Sequence, residues 1–170
     1  MKFEQKKISP TETMFYFSNS LPILGTFYCD LEVLPQHPLL KSVFQSNLAE
    51  SLMLTSDFIY INSLNSENTE DLELITVAEI DDFLSSTSSQ YIADESYPEV
   101  KIKLLLKTVI APFLRRDGGD IELISYNNGE IKVHFLGKCE GCPYANQTLK
   151  NHVEKNLIHY MPQIKEVLLV

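Results

Sequence analysis

Two thiols three positions apart, Cys139 and Cys142 in the run Gly137-Lys-Cys-Glu-Gly-Cys-Pro143, form the one constellation in these 170 residues with evident ligand or redox chemistry. The thiolate, not the thiol, binds a metal or attacks a disulfide, so the surroundings of the pair decide what it can do. A strand is read up to Gly137 and a helix from Pro143, which puts Cys142 at or beside a helix N-cap. Unpaired backbone N–H groups and the positive end of the helix dipole, with Lys138 close by, are expected to lower the thiol pKa values from about 8.5. Gly141 lets the backbone fold tightly enough for both sulfurs to converge and leaves room for a bulky ligand above the loop.

Residue types alone leave several readings open. A thioredoxin-like redox pair also opens a helix, but in a βαβ context, whereas an Asn-Gly hairpin precedes this one. A structural zinc site needs four ligands, and the remaining candidates, Cys29, His134, His152 and His159, stand at no finger spacing. An iron–sulfur or zinc site shared by two chains, each donating Cys139 and Cys142, supplies four thiolates. The plainest alternative is two cysteines packed as small hydrophobes. Cys29, among Phe27, Tyr28 and Leu31, reads as core. Asp117 and Asp120 flank Gly118-Gly119 and fit a helix C-cap followed by a strand start rather than a carboxylate pair.

The elements that must position the thiols follow from periodicity. Val100, Leu104, Leu105, Val109 and Ile110 repeat at helical spacing, with a kink expected at Pro112 and a stop at Gly118-Gly119. Strands Ile121–Tyr126 and Glu130–Leu136 are joined by Asn127-Asn128-Gly129, a strong hairpin signal. A helix from Pro143 to about Met161 and a strand Ile164–Val170 complete an αββαβ unit. Upstream, strands Thr13–Phe17 and Gly25–Asp30, a helix Pro38–Leu48, a hairpin of Ser51–Leu54 with Phe58–Ile61, and an acidic helix Thr69–Leu84 predict ββαββα. The fold class expected is α+β in two small domains, 1–86 and 99–170, with the serine-rich stretch 87–98 as linker.

Charge supports the division. Residues 1–95 hold 4 Lys against 15 acids and residues 96–170 hold 10 Lys and Arg against 8, so the total of −9 joins halves of −11 and +2. Net acidity argues against general nucleic-acid binding. With 44% hydrophobic and 22% charged residues the chain is globular in composition, and no apolar run approaches the ~20 residues that span a bilayer. Three cysteines are too few for a disulfide scaffold and point to a reducing compartment. Residues 1–10 carry no apolar h-region, small-residue cleavage pattern or arginine, so a cytoplasmic protein is expected.

With these residues in hand, a family resemblance emerges. Ile110-Ala-Pro112, Asp117-Gly-Gly-Asp120, Gly137-Lys-Cys-Glu-Gly-Cys-Pro143, Thr148-Leu-Lys150 and Pro162-Gln-Ile-Lys-Glu-Val167 together resemble the C-terminal domain of the NifU-like (Nfu-type) iron–sulfur cluster proteins. His37-Pro-Leu-Leu-Lys-Ser-Val-Phe44 and Asp57-Phe-Ile-Tyr-Ile61 are similar to the N-terminal domain that accompanies it. The resemblance implies that Cys139 and Cys142 bind a [4Fe–4S] cluster bridging two protomers, or a [2Fe–2S] form. It also implies that the chain is a carrier and not an enzyme, receiving the cluster from an assembly donor and delivering it to apo-protein clients, with the acidic domain tuning recognition. The alternative is a thiol–disulfide oxidoreductase using the same cysteines. Tyr144-Ala145 stands where the family often has small residues, and Ser9-Pro-Thr-Glu-Thr-Met14 replaces its usual Asn-Pro opening.

Overall fold

The structure, a computed structural model, describes residues 3–86 and 89–170. It is α+β and divides into two compact units, Met1–Asp94 and Glu95–Val170. Among the described residues, no helix is long and apolar enough to cross a membrane.

The first unit is built on strands β1 (Phe3–Lys7), β2 (Glu12–Phe17), β3 (Ile23–Leu24) and β4 (Phe27–Asp30), helix α1 (Pro38–Phe44), strands β5 (Ala49–Leu54) and β6 (Phe58–Ser63), helix α2 (Thr69–Ser86) and strand β7 (Tyr91–Ile92). Five of the strands form an antiparallel sheet in the order β1-β2-β6-β5-β4. Alternation along the strands places Phe15, Leu52, Leu54, Ile59 and Ile61 in one core with Leu39, Leu40 and Val43 of α1 and Leu72, Ile80 and Phe83 of α2. Cys29 is buried in the same core, where burial and the neighbouring Asp30 push its thiol up to about 12. It is inert by position.

Three strands here escape the sequence pattern, β1, the two-residue β3 and β7. β1, Phe-Glu-Gln-Lys-Lys, is nearly all exposed, as its place at the sheet edge permits. β7 lies within the stretch read as linker, and Pro98 there opens a helix. Residues 87 and 88 of that stretch lie outside the described residues. Its β-structure comes from tertiary partners: β7 pairs in parallel with β3, and the Tyr91 ring packs against His37 with centroids 4.4 Å apart.

The second unit holds α3 (Pro98–Leu105) and α4 (Ala111–Arg116), strands β8 (Gly119–Asn127) and β9 (Glu130–Gly137), helices α5 (Ala145–Thr148) and α6 (Lys155–Tyr160), and strand β10 (Glu166–Leu169). Its sheet order is β10-β9-β8, with β8 antiparallel and β10 parallel to the central β9. Ile131, Val133 and Phe135 of β9 point into the core at every second position.

Neither helical stretch of this unit is regular. Leu106–Ile110 is a π turn, and the Ala111 N–H reaches back to the Leu106 carbonyl. Pro112 lacks an N–H and clashes with a normal preceding turn, so the helix widens where a kink was expected. The extra residue shifts the buried face from Ile102, Leu105 and Leu106 on to Ile110 and Leu114, and Val100, which precedes the turn, is exposed against expectation. A second π turn, Leu149–Glu154, divides the helix that was expected to run unbroken from Pro143.

His37 provides a test of the first unit. It caps α1, its Nδ1 accepting the Leu39 N–H at 3.2 Å, and is fully buried against Phe27, Phe83 and Tyr91. Burial pushes the imidazole from 6.5 down to about 4. Between those values the unfolded chain takes up a proton that the folded unit refuses. Stability is therefore full above pH 6.5 and falls as the pH drops toward 4, by up to about 3 kcal/mol. Urea unfolding of the full chain across this range is expected to show that loss relative to His37→Asn, which retains a capping side chain.

Candidate functional site

The thiols sit in the turn that leaves the end of β9. Residues Gly119 and Gly137 face each other at the open end of the β8–β9 hairpin. The chain then folds through a run of tight turns: Glu140 N–H donates to Gly137 O at 3.1 Å, Cys142 N–H to Cys139 O at 3.4 Å and Ala145 N–H to Cys142 O at 3.0 Å. Lys138 N–H donates to Gly118 O at 3.1 Å, tying this turn to the one that joins α4 to β8. Cys139 and Cys142 are both partly exposed. Gly141 between them adopts φ +67°, and nothing lies within 4 Å of where its Cβ would project. The turn is open on that side, as its glycine led us to expect.

The expected electrostatics do not hold. Pro143 and Tyr144 form a turn before the helix, so the first helical residue is Ala145 and the N-cap is Tyr144 rather than Cys142. Its side chain makes no capping hydrogen bond. The positive end of a helix is therefore not at Cys142. Burial, Cys142 and the carboxylates Asp117 and Asp120 push the Cys139 thiol up, opposite to the lowering expected from the sequence.

The other candidates take structural roles. Asp117 is the C-cap residue of α4. Asp120 Oδ2 receives both Nε and Nη2 of Arg115 at 2.9 Å, and its Oδ1 accepts the Ile121 N–H. His134 Nδ1 lies 2.5 Å from the Val170 carbonyl. The His152 ring packs on Phe113 at 4.1 Å, and burial followed by Arg116 lowers its pKa. His159 stacks edge-on against Tyr160. Among the described residues, no group of three or more His, Cys, Asp or Glu could hold a metal ion. One chain thus offers two thiol donors in an open turn.

Sequence reasoning missed one component. Gly118 and Gly119 were both assigned to the C-cap, but only Gly118 adopts a left-handed conformation, at φ +81°. Gly119 is the first residue of β8, and the Cys139 sulfur lies directly against it. The signal available in the sequence was the second glycine itself, which a C-cap does not need.

Residues 102–168 match the family model described as NifU-like domain. The chain is similar to "NFU1 iron-sulfur cluster scaffold homolog, mitochondrial" of Drosophila persimilis, 33% identical over 141 residues covering 76% of this chain and 50% of the relative. The protein of the same description from Drosophila willistoni is 31% identical over 180 residues, covering 97% of this chain and 62% of the relative. "NifU-like protein 4, mitochondrial" of Arabidopsis thaliana is 28% identical over 179 residues, covering 96% and 63%. The chain thus spans between half and two thirds of the length of these relatives. Their descriptions overturn the cytoplasmic expectation, since all three name the mitochondrion. That expectation rested on the composition of residues 1–10, which describes those ten residues and not the compartment.

The exposure of the three thiols has a direct consequence. Titration of the native, reduced protein with a chromogenic disulfide is expected to consume two thiols promptly and the third only after denaturant is added, with mass mapping placing the slow one at Cys29.

Proposed function

Residues 102–168 belong to the NifU-like domain family, and from that premise we propose that the chain is an iron–sulfur cluster scaffold and carrier whose cargo binds at Cys139 and Cys142. The observation that carries this reading is the donor set: two partly exposed thiols in one open turn, with no third ligand beside them among the described residues. Iron–sulfur clusters are held by four thiolates, so a second copy of the chain supplies the other two, and a [4Fe–4S] cluster bridges a homodimer. The donor set suits thiolate-ligated iron, and no other side chain of this chain is required.

Delivery follows from the same openness. The cluster reaches the turn from an assembly donor, and incoming thiolates of an apo-protein client displace Cys139 and Cys142 one for one. Thiolate replaces thiolate, and no net oxidation or reduction of the chain occurs. The protein is a carrier, not a catalyst. We place it in the mitochondrion on the descriptions of its relatives. The acidic first unit, outside the NifU-like domain, serves recognition of donor or client. A thiol–disulfide exchange role is less well supported, because an attacking cysteine benefits from a lowered pKa and the surroundings of Cys139 raise it.

Anaerobic reconstitution with iron and sulfide tests the proposal. We expect charge-transfer absorption and about two irons per chain, both lost in Cys139→Ser and in Cys142→Ser. Sedimentation is expected to show monomer without cluster and dimer with it, since binding and association are linked. A colourless chain that reduces insulin would overturn the carrier reading. A loaded monomer would overturn the bridged one.

A further inference from the structure

We propose that Gly119 is a positioning residue for Cys139: the missing side chain at 119 is the seat on which the Cys139 sulfur rests, and it sets the direction in which that thiol is offered. This inference rests on the scaffold reading for its functional consequence. Its structural content does not depend on it.

The geometry is specific. A Cβ built on Gly119 would lie 2.1 Å from Cys139 Sγ, 2.9 Å from Cys139 Cβ and 3.3 Å from its backbone N. Rotation about χ1 could remove the sulfur from the clash, but not the Cβ or the backbone. Gly119 is buried, and its φ lies outside the left-handed region, so its backbone conformation is open to any residue. Helix termination is already served by Gly118, and the demand for glycine at 119 comes from Cys139.

Neither side of this contact is free to withdraw. The cysteine turn is held to the α4–β8 turn by Lys138 N–H on Gly118 O, and a Cβ at Gly137 would come within 2.6 Å of that same carbonyl oxygen. Below the seat, Arg115 grips Asp120, whose other oxygen accepts the next N–H along β8. The two turns are pressed together through glycines. An added methyl at 119 must either swing the Cys139 sulfur into another rotamer or lift the turn off β8. Both spoil the convergence of four thiolates on one cluster, for which ligand distances tolerate only about 0.2 Å.

The test is Gly119→Ala in the full chain, followed by three measurements. Circular dichroism and thermal unfolding report the fold, mapped alkylation of the apo-protein reports the reactivity of Cys139 relative to Cys142, and reconstitution reports iron per chain. We expect a folded protein in which the Cys139 to Cys142 alkylation ratio rises several-fold and cluster affinity falls about tenfold or more, the range seen when groups supporting metal ligands are lost. An unchanged ratio with wild-type loading would overturn the proposal. If the wild-type chain itself fails to load, the scaffold reading falls, while the alkylation ratio still decides the role of Gly119. Should Gly119→Ala fail to fold, the same substitution is made with Cys139→Gly, which removes both clashing side-chain atoms. Restored folding supports the seat, and its absence overturns it.

Discussion

The close approach of two turns at the open end of the β8–β9 hairpin is the constraint on which the functional unit depends. β9 is the central strand of its sheet, bonded to β10 over Glu130–Val133 and to β8 along its whole length, and its last residue, Gly137, stands opposite Gly119 of β8, which fixes the point from which the loop leaves. The thiol turn leaves from there and is at once tied back to the α4–β8 turn by Lys138 N–H on Gly118 O. Everything nearer the thiols is irregular backbone. Its geometry is inherited from the hairpin, through Gly119 and Gly137, rather than made by the loop itself.

The three cysteines show how position divides one chemistry. Cys29, in an edge strand of the first unit, is surrounded by core and held protonated by burial. Cys139 and Cys142, in a turn with an open side, remain reachable. Charge divides likewise: acidity is concentrated in the unit that carries no accessible cysteine, while the unit with the thiol pair is close to neutral. On the proposed reading, a near-neutral unit limits the repulsion between two copies that would share an anionic cargo.

Much of the frame was legible because it rests on local rules. Alternation in Ile131-Lys-Val-His-Phe135, the Asn128-Gly129 turn and the paired cysteines each declare themselves within a few residues. What escaped depends on partners distant in sequence. β7 exists because Tyr91 meets His37 and β3, which no composition window reveals. The π turn at Leu106–Ile110 follows from Pro112 in hindsight, but its rotation of the buried face depends on how the helix meets β8. The helix start slipped from Pro143 to Ala145 because proline suits a turn as readily as a first helical position, which takes the helix end away from Cys142, while burial, Cys142 and the distant-in-sequence Asp117 and Asp120 raise the Cys139 thiol.

That reversal bears on how a carrier differs from an electron-transfer protein or a thiol catalyst. A helix end aimed at the sulfurs would stabilise thiolates, the form that attacks a disulfide as well as the form that binds a metal. Here carboxylates and burial disfavour the free Cys139 thiolate, so on the proposed reading the metal itself must displace the proton. On that reading loading releases protons, as metal binding by any protonated thiol must, and departure of the cargo takes them back. Two thiols in a turn open on one side are, on the proposed reading, ligands that an incoming thiolate can reach and replace, which suits a site that gives its cargo away.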